Sequence, residues 1–178
     1  RRHSFPTRRS SDLGPRLVIP WCAPNGAVET LQGRLIGEAR GKVSKYVFPR
    51  ERRPRWPFGV ERLDDAGPDT AVAIVEGAID AVSFNALARR GGADAVALAV
   101  PGVSAWDARW LRLFARRPCI VALDADRAGA AAVDEARARL AAVARRDDRR
   151  RPMVTVRAPA GGVKDWNDAL RARAAEAA

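Results

Sequence analysis

The segment CIVALDADRAGAAA, residues 119–132, joins an apolar run to two aspartates and then to an alanine-rich run. The apolar part predicts a buried β-strand over residues 119–123, and the alanine-rich part predicts a helix. Side chains alternate between the two faces of a strand, so Asp124 and Asp126 are predicted to emerge on the same face. Two like charges this close repel each other unless water, a cation or a basic ligand lies between them. Capping of the helix is the alternative role, but it accounts for only one of the two aspartates.

The change from strand to helix recurs along the second part of the chain. Strands are predicted to begin near residues 70, 94, 119 and 152, and a helical segment follows each of them. Alternating strands and helices predict an α/β domain over residues 68–178, with a mostly parallel sheet flanked by helices. Residues 14–67 instead hold short strands, a turn at Asn25-Gly26 and a connector rich in proline, glycine and charge. They predict a small antiparallel β-rich subdomain.

The composition narrows the classes of partner. The chain has 178 residues, with 32 Lys and Arg against 21 Asp and Glu, and its formal net charge is +11. Such an excess of positive charge favours polyanionic partners. No apolar run reaches the length of a membrane span, so we expect a cytoplasmic protein without a membrane contact. Cys22 and Cys119 form no CxxC pair, which favours a role as small core residues.

The first thirteen residues, RRHSFPTRRSSDL, require a separate interpretation. Residues 3–13 match the translation, in one frame, of a common short-read sequencing adapter, so we predict that residues 1–13 are a non-native tail. A basic nucleic-acid-binding arm or a transit-like segment is the alternative. His3 is the only histidine of the chain, so no imidazole is expected in a catalytic or metal site. No initiator methionine precedes the remaining sequence, which we expect to be a fragment of a longer protein.

Acidic side chains follow three of the predicted strands. They are Glu76 and Asp80 after the first strand, Asp124 and Asp126 after the third, and Asp165 and Asp168 after the last, on either side of Asn167. Ligands of open parallel sheets bind beyond the carboxyl ends of the strands, where these acids would converge. With no histidine or cysteine cluster available, converging carboxylates indicate a hard divalent cation, Mg²⁺ or Mn²⁺. The alternative is that acids near helix starts complement the helix dipole, which suits Asp80 and Asp168 best.

The three acidic segments have a family resemblance. VEGAIDAVS, VALDADRAGAAA and KDWNDAL resemble the Glu-Gly motif, the DxD motif and the third acidic motif of the Toprim domain. The earlier segments LVIPWCAPNGAVETLQGRLIG and KVSKYVFP resemble the basic subdomain that precedes Toprim in DnaG-type and phage-type DNA primases. The resemblance covers residues 16–178 and implies a Rossmann-like Toprim domain behind a small β-rich subdomain.

The resemblance also implies roles for individual residues. Two Mg²⁺ or Mn²⁺ ions would be bound by the acids on the family's metal positions, which are Glu76, Asp80, Asp124, Asp126 and Asp165. Of these, Glu76, Asp124 and Asp126 would be catalytic. Arg34 and Lys45 fall on positions that contact the phosphates of nucleic acid or nucleotide.

The third motif departs from the DnaG pattern. DnaG-type primases commonly have a second aspartate where Asn167 stands, and the asparagine is more similar to phage primase–helicases. We expect Asn167 and the neighbouring Asp168 to support the metal site.

The implied function is that of a DNA primase, a metal-dependent nucleotidyltransferase. It would use ribonucleoside triphosphates to make short RNA primers on a single-stranded DNA template, and a replicative helicase would be a partner through regions beyond this sequence. A Toprim-type nuclease and a non-catalytic nucleic-acid-binding module remain the alternatives. A topoisomerase requires a catalytic tyrosine, and the only tyrosine, Tyr46, lies in the Lys-Tyr strand of the β-rich part.

Overall fold

The computed structural model describes residues 14–38, 43–50, 52–100, 107–114, 116–146 and 153–177, so the predicted tail lies outside the described residues. The first part forms a three-stranded antiparallel sheet in the order β1-β2-β3. Its strands are β1 (Arg16–Cys22), β2 (Val28–Leu35) and β3 (Tyr46–Val47). The predicted turn between β1 and β2 is confirmed, because Gly26 has a φ of 79° and its N–H bonds to the carbonyl of Ala23 at 2.9 Å.

The second part alternates strands and helices as predicted. The elements are β4 (Ala71–Val75), α1 (Ala78–Arg90), β5 (Ala95–Ala99), α2 (Ala108–Phe114), β6 (Cys119–Val121), α3 (Arg127–Arg146), β7 (Val154–Val156) and α4 (Trp166–Glu176). The four strands are parallel and lie in the order β5-β4-β6-β7. The predicted α/β class is therefore confirmed, together with the antiparallel sheet that precedes it.

Strand β4 packs against a helical layer on each face of the sheet. Val72 and Ile74 are fully buried and contribute to a cluster with Trp110 and Phe114 of α2 and Leu140 of α3. Successive residues of a strand point to opposite faces, so the residues that alternate with Val72 and Ile74 pack against the helical layer on the other face of the sheet.

The other layer consists of α1 and α4. Ala73 and Val75 pack there with Phe84 of α1 and Trp166 of α4, whose rings meet edge to face with centroids 4.7 Å apart. The indole N–H of Trp166 donates to the carbonyl of Ala122 at 2.7 Å. This bond ties the start of α4 to the end of β6, the two places where acidic motifs occur.

Aromatic packing joins the two sheets. Trp21 of β1 is buried, and its ring centroid lies 5.5 Å from that of Phe48 and 5.6 Å from that of Phe58. The backbone of Phe58 in turn exchanges two hydrogen bonds with Ala99 of β5, at 2.9 and 3.1 Å. The small sheet is thereby packed near the carboxyl ends of the parallel strands.

The predictions about the two cysteines and about membrane spans can be compared with the structure. Cys119 is buried and Cys22 is half-buried, and both are free thiols. Burial raises the pKa of Cys119 to about 12, as fits a core residue. Within the described residues, the longest helices are too short or too polar to cross a bilayer.

Candidate active site between the two sheets

A cleft of about 1010 Å³ lies between the parallel sheet and the small antiparallel sheet. One wall is mainly acidic and comes from the carboxyl end of the parallel sheet, with Glu76, Gly77, Asp80, Asp124, Lys164 and Asp165. The opposite wall is basic and aromatic and comes from the small sheet and the connector, with Trp21, Gln32, Lys45, Tyr46, Phe48, Pro49, Arg50 and Arg53. Four of the predicted acids and one of the two predicted bases therefore line one cleft.

Glu76 and Asp124 meet because β4 and β6 are adjacent parallel strands that end at the same edge. The backbone N–H of Asp124 donates to Oε1 of Glu76 at 3.3 Å. Burial raises the pKa of Glu76, and the negative charge of Asp124 raises it further. Oδ1 of Asp124 is buried without a hydrogen-bond partner. An ionised carboxylate oxygen in that position is a free ligand for a cation.

Asp80 joins the first acidic motif to the third. It lies in the first turn of α1, and its Oδ1 accepts a hydrogen bond from the backbone N–H of Asn167 at 3.3 Å. Burial raises the pKa of Asp80 to about 6, and the charges of Asp165 and Asp124 add to that rise. A Cβ at Gly77 would lie 2.8 Å from Oδ2 of Asp80, so a side chain there would displace the carboxylate. The role of Asp80 thus extends beyond the helix dipole of α1.

Asp165 lies both at the start of α4 and in the lining of the cleft. It is the N-cap of α4, and its Oδ1 accepts the N–H of Asp168 at 2.8 Å, while the residue also lines the cleft. Asp168 lies in the first turn of α4, where its charge complements the helix dipole. Neither Asp168 nor Asn167 lines the cleft, and Asn167 contributes its backbone N–H to Asp80.

The strand predicted over residues 119–123 is shorter in the structure, which changes the reason for the positions of the two aspartates of the DxD motif. Strand β6 ends at Val121, so strand alternation does not orient Asp124 and Asp126. Oδ1 of Asp126 instead accepts the N–H of Gly129 at 2.9 Å, which caps α3, and this bond lowers the pKa of Asp126. Asp126 is not among the residues that line the cleft. Asp126 therefore caps α3, and after burial its negative charge is among the causes that raise the pKa values of Glu76 and Asp124. Asp124 lines the cleft.

Gly129 allows this loop to form. A Cβ on Gly129 would overlap the carbonyl oxygen of Asp124, which belongs to the backbone, so the loop itself would have to shift. Gly129 thereby permits the close approach of the helix start to this loop.

The two predicted basic residues occupy different positions. Lys45 lines the cleft, and its Nζ lies 5.8 Å from the ring centroid of Tyr46. Arg34 pairs with Tyr46 across β2 and β3, and its Nε donates to the tyrosine hydroxyl at 3.1 Å. Arg34 is not part of the cleft lining, so it lies beside the cleft on the same small sheet.

Sequence reasoning missed several cleft residues, above all Lys164, Arg50 and Arg53. Lys164 had a signal, because it stands directly before Asp165 in the third motif and is one of three lysines in the chain. Arg50 and Arg53 lie in an arginine-rich connector, where no periodic pattern distinguishes them from exposed neighbours.

The chemistry of the acidic wall suits a divalent cation. Carboxylate oxygens are the donors that Mg²⁺ and Mn²⁺ prefer, and burial, with the charges of neighbouring acids adding to it, raises the pKa values of Glu76, Asp80 and Asp124. In the described part of the chain, no three Asp, Glu, His or Cys side chains are grouped closely enough to enclose a metal ion. The donor set and the free oxygen of Asp124 fit a cation, whereas a closed coordination shell is not formed.

A profile of the family described as Toprim-like matches residues 73–170, which is more than half of the chain. The chain belongs to the Toprim-like family. The match begins within β4 and ends within α4, so it includes all three acidic motifs of this Toprim domain.

Relatives of the Toprim chain are primases. A DNA primase of Myxococcus xanthus is 34% identical over 124 residues, which are 67% of this chain and 20% of that protein. The DnaG catalytic core has a TM-score of 0.63 at 25% identity, over 91% of this chain and 51% of the other. The E. coli primase catalytic core has a TM-score of 0.59 at 26% identity, over 91% and 50%.

A third structure, a DnaG primase catalytic domain bound to single-stranded DNA, has a TM-score of 0.65 at 23% identity, over 91% of this chain and 51% of the other. That likeness concerns the fold alone. The fold of the Toprim chain and its preceding β sheet is that of the DnaG catalytic core. The chain spans about a fifth of the Myxococcus xanthus primase and about half of the solved cores.

Proposed function

We propose that this Toprim chain is part of the RNA-polymerase core of a DNA primase, which joins ribonucleotides into short primers on single-stranded DNA. The observation that carries the proposal is the cleft, because an acidic wall faces a basic wall across it. Nucleic-acid backbones and triphosphates require positive partners, while nucleotidyl transfer requires negative groups that hold cations near the reacting phosphate. The relationship to DNA primases supports the same assignment.

The reaction forms a bond between the 3′ oxygen of the primer and the α-phosphorus of the incoming nucleotide. The bond from that phosphorus to the bridging oxygen breaks, and pyrophosphate leaves. Divalent cations, when bound, would lower the pKa of the 3′ hydroxyl and neutralise charge on the triphosphate. We assign Glu76, Asp124 and Asp165 as their main ligands, with Asp80 in support.

Other residues of the cleft would position the substrates. Glu76 has a raised pKa and is the candidate to accept the hydroxyl proton where it is not a ligand. Lys45, Arg50 and Arg53 would bind template or nucleotide phosphates from the opposite wall. Asp126 would position Asp124, because the hydrogen bond that Asp126 accepts from Gly129 fixes the start of α3 and with it the loop that holds Asp124.

A template-dependent synthesis assay tests the proposal. Labelled ribonucleoside triphosphates are incubated with single-stranded DNA, the protein and Mg²⁺ or Mn²⁺, and a nuclease assay is run on the same DNA. We expect short RNA products from the parent and none from Glu76→Gln or Asp124→Asn. Glu135→Gln is the matched control, because Glu135 is an exposed acid of α3 that pairs with Arg139 at 2.7 Å.

The other outcomes identify the alternatives. Metal-dependent cleavage of the DNA without synthesis would indicate a Toprim nuclease. Tight binding of single-stranded DNA with neither activity, in a protein that also binds no nucleotide, would indicate a nucleic-acid-binding module.

A further inference from the structure

Lys164 is a basic residue in the acidic wall of the cleft. It directly precedes Asp165, an acid of the third motif. Its Nζ lies 3.5 Å from Oδ2 of Asp126, and the residue lines the cleft beside Asp124 and Asp165. The lysine thus places a positive charge beside the acids to which the proposed function assigns the cations.

The backbone of Lys164 is held by a hydrogen bond, while its side chain is largely exposed. The carbonyl of Lys164 accepts the N–H of Ala125 at 2.8 Å, which ties the segment before α4 to the loop after β6. Gly161 and Gly162 have φ values of 82° and 71°, a turn that glycine adopts without strain, and they direct the chain into this contact. The side chain of Lys164 is 62% exposed, so its ammonium group has room to change partners.

The partner that Lys164 has in the structure is a weak one. Its ion pair with Asp126 is exposed on both sides, and such pairs contribute little to stability. Oδ1 of the same aspartate is already bonded to Gly129, so the helix cap does not need the lysine. A phosphate oxygen carries more negative charge than one exposed carboxylate oxygen and would compete for the ammonium group.

We propose that Lys164 binds the β- or γ-phosphate of an incoming nucleotide and that Asp126 holds its ammonium group beside the cleft when no nucleotide is bound. This inference rests on the proposed function and adds a specific residue to its nucleotide site. It assigns discrimination between triphosphates and monophosphates to the acidic wall, in addition to the bases of the opposite wall.

The test compares binding of fluorescently labelled ATP and AMP to the parent and to Lys164→Met in the presence of Mg²⁺. We expect the variant to lose about tenfold or more of its ATP affinity, because a charge-assisted hydrogen bond is lost. AMP affinity should change less than about twofold, since AMP lacks the distal phosphates. Lys164→Arg should restore most of the ATP affinity, because it keeps the charge.

Arg137→Met is the control, because it removes one positive charge from an exposed position on α3, far from the start of that helix. It should leave both affinities unchanged. Melting curves of Lys164→Met and the parent should agree, because the ion pair is exposed.

Three results overturn the inference. A parent that binds ATP and synthesises primers, together with a Lys164→Met variant of equal ATP affinity, refutes the role of Lys164 alone. Equal losses for ATP and AMP also refute it, because they would reflect a general disturbance of the cleft. A parent that binds no ATP and makes no primer refutes both this inference and the proposed function.

Discussion

Replacing Asp80 by asparagine tests whether burial and the neighbouring acids oppose ionisation of Asp80 in the folded protein. The substitution removes the charge but keeps an oxygen that can accept the N–H of Asn167. Because the folded-state pKa of about 6 lies above the ordinary value of 3.8, ionisation of Asp80 opposes folding. The stability of the parent should therefore fall as the pH rises from about 4 to about 6, and Asp80→Asn should lack this part of the fall.

The expected magnitude follows from the difference between the two pKa values. The full difference corresponds to about 3 kcal/mol, and the solvent around this half-buried carboxylate reduces it to about 1–2 kcal/mol. In the absence of metal, Asp80→Asn should be more stable than the parent by that amount at pH 7.5 and equally stable near pH 4. Urea unfolding followed by circular dichroism, with EDTA present, measures the difference.

Addition of a divalent cation should reverse the order. Mg²⁺ or Mn²⁺ at several times its Kd should stabilise the parent by on the order of 1 kcal/mol and the variant by less. Asp134→Asn, which changes an exposed acid of α3, should show neither effect. If metal-free Asp80→Asn is less stable than the parent at pH 7.5, ionisation of Asp80 does not oppose folding and Asp80 is a dipole-complementing residue of α1.

Three further predictions concern the loop after β6 and the basic wall. Gly129→Ala should destabilise the protein by about 1–3 kcal/mol in thermal unfolding, because its Cβ would overlap the carbonyl of Asp124; unchanged stability would contradict the close approach. Asp126→Ala should lower the melting temperature and Asp126→Asn should restore it, since asparagine also caps helices; equal losses would place the stabilisation in the ion pair instead. Lys45→Ala and Arg34→Ala should each weaken binding to single-stranded DNA and lower its salt slope by about 0.7, measured by fluorescence anisotropy; unchanged slopes in both would place the nucleic acid elsewhere.

The contacts of the site show which side-chain positions could not be predicted from the sequence. Asp124 and Asp126 look equivalent in the sequence, but the structure divides them between the cleft and the cap of α3. The division depends on where β6 stops pairing, and strand length is set by neighbouring strands as much as by the apolar run itself. Lys164 was likewise not predicted as a cleft residue: it stands directly before Asp165, but no periodicity orients side chains in the loop before α4.

The sequence by itself determined the α/β class, the turn at Gly26 and the three acidic motifs. Those features are local, since a strand, a helix or a tight turn is specified by residues within a few positions of one another. The tertiary structure alone decided that a basic wall faces the acidic one, that Arg34 lies beside the cleft, and that the pKa of Asp80 rises to about 6. Each of these depends on burial and on distances between residues far apart in the chain, and electrostatic interactions change with both.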